Sequence, residues 1–413
     1  MTCPREQLGV TAGALQQLSC TIEGSFARLE CLREEWDQAV LDFGGSIYMS
    51  YDWSRIWWEF YGRDQALRIF IFRVDDQIVG IAPIYIDCVR LWPLRFRVAR
   101  LVGSNIPPKV FNPPIAPAWA EQIFERILLQ LFKEDSCDVL SFGPVSEVYS
   151  PLGGLFKASA GKPSLVSKAT AAANDVHSVW SLPQTLEEYY QSLSRNERKN
   201  RRADLKKLQT DHDARIEVVS NEQQAEQAFD DFLRQHAAQW QAEGKAGHFK
   251  AWPQATELNR ALVDAHGKLG RVRFVRILVN GRVISSIYAF ALGGSYYCEL
   301  PARSLEPEWE RLSLGPAAIV AAIEVAIKDG ITRIEGGLGH YEYKIRLNAK
   351  EYATVTVRVV GKGFASRIRA RIMLAARSCV LLAYHKLWYC RIAPHLRGAG
   401  KQSQWRVWLR LDF

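Results

Sequence analysis

Residues 272–292 read VRFVRILVNGRVISSIYAFAL. Two apolar, β-branched runs flank Asn280-Gly281, a pair suited to a type I′ turn because both central positions need positive φ. The stretch therefore predicts a β-hairpin with largely buried strands. Residues 67–86, LRIFIFRVDDQIVGIAPIYI, have the same form around Asp75-Asp76. At an offset of 205 residues, positions 74–79 fall on positions 279–284.

The surroundings repeat as well. A Trp-rich amphipathic stretch at 51–61 precedes the first hairpin, and helical patterns at 222–243 and 256–269 precede the second. After each hairpin comes a helix and then a short strand, at 119–133 and 138–142, and at 316–328 and 331–335. This order predicts an α/β (α+β) chain of two similar domains. Residues 157–179 are rich in Ala, Ser, Lys and Gly and lack periodicity, so they read as a linker. The expected units are 1–165, 180–360 and a tail at 361–413.

The chain has 413 residues, 48% hydrophobic and 23% charged, the composition of a folded globular protein. Its formal charge is +9, yet residues 361–413 hold eleven Lys or Arg and one acid, so the rest is close to neutral. The excess is a property of the tail, which alternates basic with aliphatic and aromatic residues. Such a tail suits an anionic membrane surface. No run is long and apolar enough to span a bilayer, and the first residues lack a signal-peptide core, so a cytoplasmic location is expected, with peripheral contact at the inner face of the membrane. The eight cysteines form no CxxC pair and the eight histidines are scattered, so no metal is expected.

Three motifs carry chemistry. Ser313-Leu314-Gly315-Pro316-Ala317, preceded by Arg311, opens a helix. A glycine-containing loop at a helix start presents amides and partial positive charge to a pyrophosphate. Glu335-Gly336-Gly337-Leu338-Gly339 follows a strand and runs into His340-Tyr341-Glu342-Tyr343-Lys344. Acyl transfer needs a base, an acid for the leaving group and a stabiliser of the carbonyl oxygen. Glu342 or His340 is a candidate base, Tyr341 or Tyr343 a candidate acid and Lys344 a candidate stabiliser. Residues 192–207, SLSRNERKNRRADLKK, place Arg198 and Arg202 on a basic helical stripe suited to an acceptor's phosphates.

In this order the motifs resemble the CelD-like branch of the GNAT acyltransferases, named for cellulose and exopolysaccharide biosynthesis and similar to the Fem-type tandem-GNAT transferases. The resemblance rests on SLSRN with its following basic residues at 192–208, on Ser313-Leu314-Gly315, on Glu335-Gly336 through Tyr343-Lys344, and on VGIAPI at 79–84. It implies two tandem GNAT-like domains with a basic helical tail, an inactive first domain, and acyltransferase chemistry in the second. It implies acyl-CoA (acetyl-CoA) held by Arg311, Ser313, Leu314, Gly315 and Ala317. It also implies an acceptor amine or hydroxyl on a sugar- or polyprenyl-linked precursor, near Arg198, Arg202, Glu335 and Gly337. Glu335 stands where the branch usually has Asp. Arg311 precedes Gly315 by one residue more than the usual pyrophosphate signature allows. The alternatives are a Fem-type transferase using aminoacyl-tRNA and a catalytically silent scaffold on a membrane surface.

Overall fold

The computed structural model describes residues 17–62, 64–104, 107, 109–245, 247–309, 312–396 and 405. The first half runs β1 (Ser19–Glu23), α1 (Arg33–Asp42), α2 (Tyr51–Tyr61), β2 (Ala66–Val74), β3 (Gln77–Leu91), β4 (Leu94–Leu101), α3 (Ala120–Leu129), β5 (Val139–Ser146), α4 (Leu152–Gly161) and β6 (Val166–Ser181). The second runs α5 (Leu186–Ser192), α6 (Arg195–His212), β7 (Arg215–Val219), α7 (Glu222–Ala242), α8 (His248–Ala251), α9 (Ala255–Lys268), β8 (Val272–Val279), β9 (Arg282–Leu292), β10 (Ser295–Arg303), α10 (Leu314–Lys328), β11 (Arg333–Leu338), α11 (Glu342–Arg346) and β12 (Lys350–Gly361). The tail begins with α12 (Phe364–Leu382).

Both expected hairpins form. Asp75, Asp76, Asn280 and Gly281 all have positive φ, as their turns require. Strands of the two halves join in one twelve-stranded sheet, ordered β1-β2-β3-β4-β5-β12-β6-β11-β10-β9-β8-β7. Each half contains one parallel pair, β4 with β5 and β10 with β11, which the repeated order of hairpin, helix and strand produces.

The centre of the sheet departs from the expected linker. Residues 157–179 end α4 and then form most of β6, an interior strand. β6, from the first half, pairs with β11 of the second. β12, the last of the described strands, pairs with β5 of the first half and with β6. Each half is thus completed by a strand of the other. Half of the side chains of β6 are Ala, Ser or Lys, with little apolar signal. Its backbone is nevertheless paired with β12 along most of its length and with β11 from His177 to Ser181, which decides the conformation.

A shared core reinforces this union. Trp53 of α2 meets Phe290 of β9 edge to face at 5.2 Å, and Tyr48 meets Tyr297 of β10 at 5.6 Å. Arg271 reaches Asp37 at 2.6 Å. A second core lies under α10, whose Ala, Ile and Val side chains pack on β8, β9 and β10. The tail helix α12 lies on the first half. Ala370 and Met373 join Val89, Phe96, Val98 and Val139 in a small cluster, and Arg369 pairs with Asp138 at 3.1 Å.

Candidate active site

The two parallel pairs splay differently at their ends. β4 and β5 pair only from Val98–Val139 to Arg100–Ser141. Beyond that point the chain at 111–112 fills the opening. The Phe111 amide donates to the Pro144 carbonyl, the Phe111 ring is buried, and Asn112 Oδ1 accepts from the Ser146 amide. β10 and β11 pair only from Ser295–Arg333 to Tyr297–Glu335 and then part. A bulge between Cys298 and Leu300 shifts the register of β10 against β9, and Glu299 sits inside it.

This second opening joins two cavities. One, of about 830 Å³, lies between the halves and takes Ser46, Tyr48, Lys109 and Tyr149 from the first half. The other, about 50 Å³, is bounded by Ile319 and Ala322 of α10. Glu299, Leu300, Pro301, Gly336, Tyr343 and Lys344 line both.

Glu299 is nearly buried. It accepts a hydrogen bond from the Tyr48 hydroxyl at 2.9 Å and one from Lys109 Nζ at 2.5 Å. Both partners belong to the first half, so that half positions a carboxylate of the second. The phenol of Tyr48 is pushed well up by burial and by Glu299, so it stays a donor.

Lys344 is almost wholly buried at the start of α11. Its Nζ lies 3.4 Å from the carbonyl oxygens of Gly337, Leu338 and Gly339 and 4.8 Å from the centre of the Tyr341 ring. Burial lowers its pKa to about 8, and the neighbouring acidic groups offset only part of that effect. Gly337 has φ +74°, which lets the strand curl its carbonyls toward the ammonium. Tyr343, with a phenol raised to about 12 by burial, lines the same opening.

A second polar chain crosses the large cavity. Glu335 Oε1 lies 2.6 Å from Arg333, its Oε2 lies 3.4 Å from His177 Nδ1, and His177 Nε2 lies 3.0 Å from Ser146 Oγ. Gly336 fits only because it lacks a side chain. A Cβ there would stand 2.4 Å from the Trp180 ring, which is fixed by a 2.9 Å bond from its Nε1 to the Leu347 carbonyl. Gly336→Ala is expected to destabilise the protein by about 1–3 kcal/mol. Urea denaturation will measure this, and an unchanged midpoint would show that Trp180 yields freely.

The structure brings together Lys344, Tyr341, Glu335 and Gly337 of the sequence-derived candidates, all on the large cavity. His340 and Glu342 do not line it. They are exposed and lie 3.5 Å apart, and a hydrogen bond to the Glu351 carboxylate raises the His340 pKa. Arg198 and Arg202 lie on α6, also off the cavity. Arg202 pairs with Glu187 and stands 4.9 Å from the centre of the Tyr190 ring, and an Arg198 guanidinium N–H donates to the Leu193 carbonyl. Arg311 lies outside the described residues.

Ser313, Leu314, Gly315 and Ala317 are at the N-terminus of α10 as expected. A Cβ at Gly315 would meet nothing within 4 Å, and no acid of α10 occupies its first turn. Ser313 hydrogen-bonds to Asp204 of α6, an acid that Arg201 holds at 2.8 Å. The helix start thus has room for an anion, with the Asp204 carboxylate and its partner Arg201 beside it. Glu299, Lys109 and His177 line the same cavity and are additional candidates. The only sequence signal for Glu299 is that it is the one acid of its strand, just before Pro301; the other two carry none.

Residues 195–345 match the family model described as an acetyltransferase (GNAT) domain. A search of the curated proteins finds no match. Among solved structures, the crystal structure of FemX is similar with a TM-score of 0.58 and 10% identity, over 79% of this chain and 95% of that one.

The chain has the GNAT acyltransferase fold.

L-PGS from Bacillus licheniformis matches with a TM-score of 0.48 and 10% identity, over 83% of this chain and 94% of that one. A tandem GNAT protein from the clavulanic acid biosynthesis pathway matches with a TM-score of 0.41 and 11% identity, over 84% and 99%. The matched domain makes the chain an enzyme of the acyltransferase class. Its residues span the opening between β10 and β11, and the plugged opening of the first half lies outside them. Among the described residues no group of His, Cys, Asp and Glu could hold a metal ion. No described helix is long and apolar enough to cross a membrane.

Proposed function

We propose that the chain transfers an acyl group from acyl-CoA to an amine or hydroxyl of a sugar- or lipid-linked precursor, by direct attack in a ternary complex. The reading rests on one observation: two cavities on either side of the sheet meet at an opening that Glu299 and Lys344 share. The thioester enters from the α10 side, where the helix start faces its phosphates. The acceptor occupies the larger cavity, whose walls include Tyr48, Tyr149, Trp240, Trp252 and Tyr297. Flat aromatic faces with a few charged groups suit a sugar ring. The CelD-like motifs support an exopolysaccharide or cell-envelope acceptor.

In the proposed step the acceptor nitrogen or oxygen attacks the acyl carbon, and Glu299 takes its proton. Lys344 stabilises the oxyanion. The C–S bond then breaks, and Tyr343 protonates the departing thiolate. Holding both reactants at one opening supplies much of the acceleration. The working division keeps residues 1–165 as a half without chemistry of its own, 180–360 as the catalytic half and 361–413 as the tail.

Asp204 beside Ser313 favours a second reading of the donor, because an acid at the helix start weakens pyrophosphate binding. An aminoacyl ester on tRNA would then replace the thioester. A thermal-shift titration separates the two. Acetyl-CoA at a hundredfold excess over its Kd is expected to stabilise the protein by about 2.7 kcal/mol, and the melting temperature should rise and saturate. No shift at millimolar acetyl-CoA would reject acyl-CoA as donor.

A further inference from the structure

Two elements on the first half share a feature that acyl transfer does not use. The β3–β4 turn carries Trp92, which is 95% exposed. Arg90 and Arg95 flank it as direct cross-strand partners, both exposed, with no ion pair among the described residues. Like charges placed directly opposite each other weaken a sheet. A tryptophan left in water between two such arginines has no role in the fold.

Helix α12, which packs on the same strands, has two apolar faces. Ala370 and Met373 face the sheet. Phe364, Ile368, Ile372 and Leu382 recur at helical spacing on the opposite, solvent side, with Phe364 73% exposed. Arg367 and Arg371 border that stripe and are exposed. Residues 362–396 contain seven Lys or Arg and no acid.

We propose that the Trp92 turn and the outer face of α12 form one docking surface for an anionic phospholipid bilayer. The indole and the aliphatic side chains enter the headgroup boundary. The arginines meet lipid phosphates, which relieves the Arg90–Arg95 repulsion. Charge argues against a second copy of the chain as occupant, because self-association would bring the same arginines together. The surface lies outside both cavities, so this proposal stands apart from the acyl-transfer reading.

The test is co-sedimentation of the full chain with vesicles of phosphatidylcholine alone or mixed with phosphatidylglycerol. Binding is expected only to the mixed vesicles and should fall as salt rises. Arg90→Gln/Arg95→Gln should weaken binding on the order of tenfold, and Trp92→Ser/Ile372→Ser should weaken it further. Neither variant should melt below the parent, and both should give the parent's thermal shift with acetyl-CoA. Equal binding to neutral vesicles, no binding, or parent-like binding by both variants would overturn the proposal. So would sedimentation velocity showing dimers in the parent and monomers in the variants.

Discussion

Glu299→Gln is expected to lower kcat by about 10²–10⁴-fold, the range for removing a positioned general base. The amide keeps the shape of the carboxylate and can still accept from Tyr48, so donor binding should be retained. Lys109 loses its ionic partner, and some stability should go with it. Single-turnover acyl transfer measures the chemical step separately from binding. Tyr48→Phe, which removes only one of the two bonds orienting the carboxylate, should produce a smaller loss. Glu342→Gln and His340→Ala alter exposed groups off the cavity and should stay close to the parent. Full activity in Glu299→Gln would move the base to Glu335 and its partner His177.

Lys344→Met is expected to remove about 10²–10³-fold of kcat, the loss typical when an oxyanion donor is deleted. The lysine carries a proton that burial disfavours, with a pKa near 8 against an ordinary 10.5. Activity and stability should therefore respond to pH in opposite directions. Activity requires the ammonium, so kcat should fall as pH rises through about 8. Between about pH 8 and 10.5 the unfolded chain binds this proton more than the folded one, so stability should rise with pH there. Lys344→Met should abolish that rise and should not lower the melting temperature at neutral pH. A variant that loses stability and activity in parallel would assign Lys344 a structural role instead.

Much of this arrangement is legible in the residues. The two hairpins announce themselves through β-branched runs around Asp75-Asp76 and Asn280-Gly281, because turn chemistry is local. The α10 start and the loop before Lys344 are legible for the same reason: glycines and charges cluster over a few residues. β6 is not, because its pairing depends on strands up to about 190 residues away and its own side chains say little. Glu299 escapes notice because a bulge in β10 aims it, and its partners Tyr48 and Lys109 come from the far end of the chain. His340 and Glu342 stand out in sequence by chemistry and proximity to Lys344. The turn into α11, however, directs Lys344 inward and leaves those two in water.

The exchange of β6 and β12 between the halves bears on how the chain is made. A ribosome releases the first half with β5 lacking its neighbour, and that neighbour is the strand ending at Gly361. The nascent sheet keeps an open edge until some 200 more residues have been synthesised, a long exposure for a segment able to pair with other chains. Cutting the gene after β6, near residue 183, should therefore not yield two soluble proteins. Co-expressed fragments, by contrast, can reassemble by each donating a strand to the other.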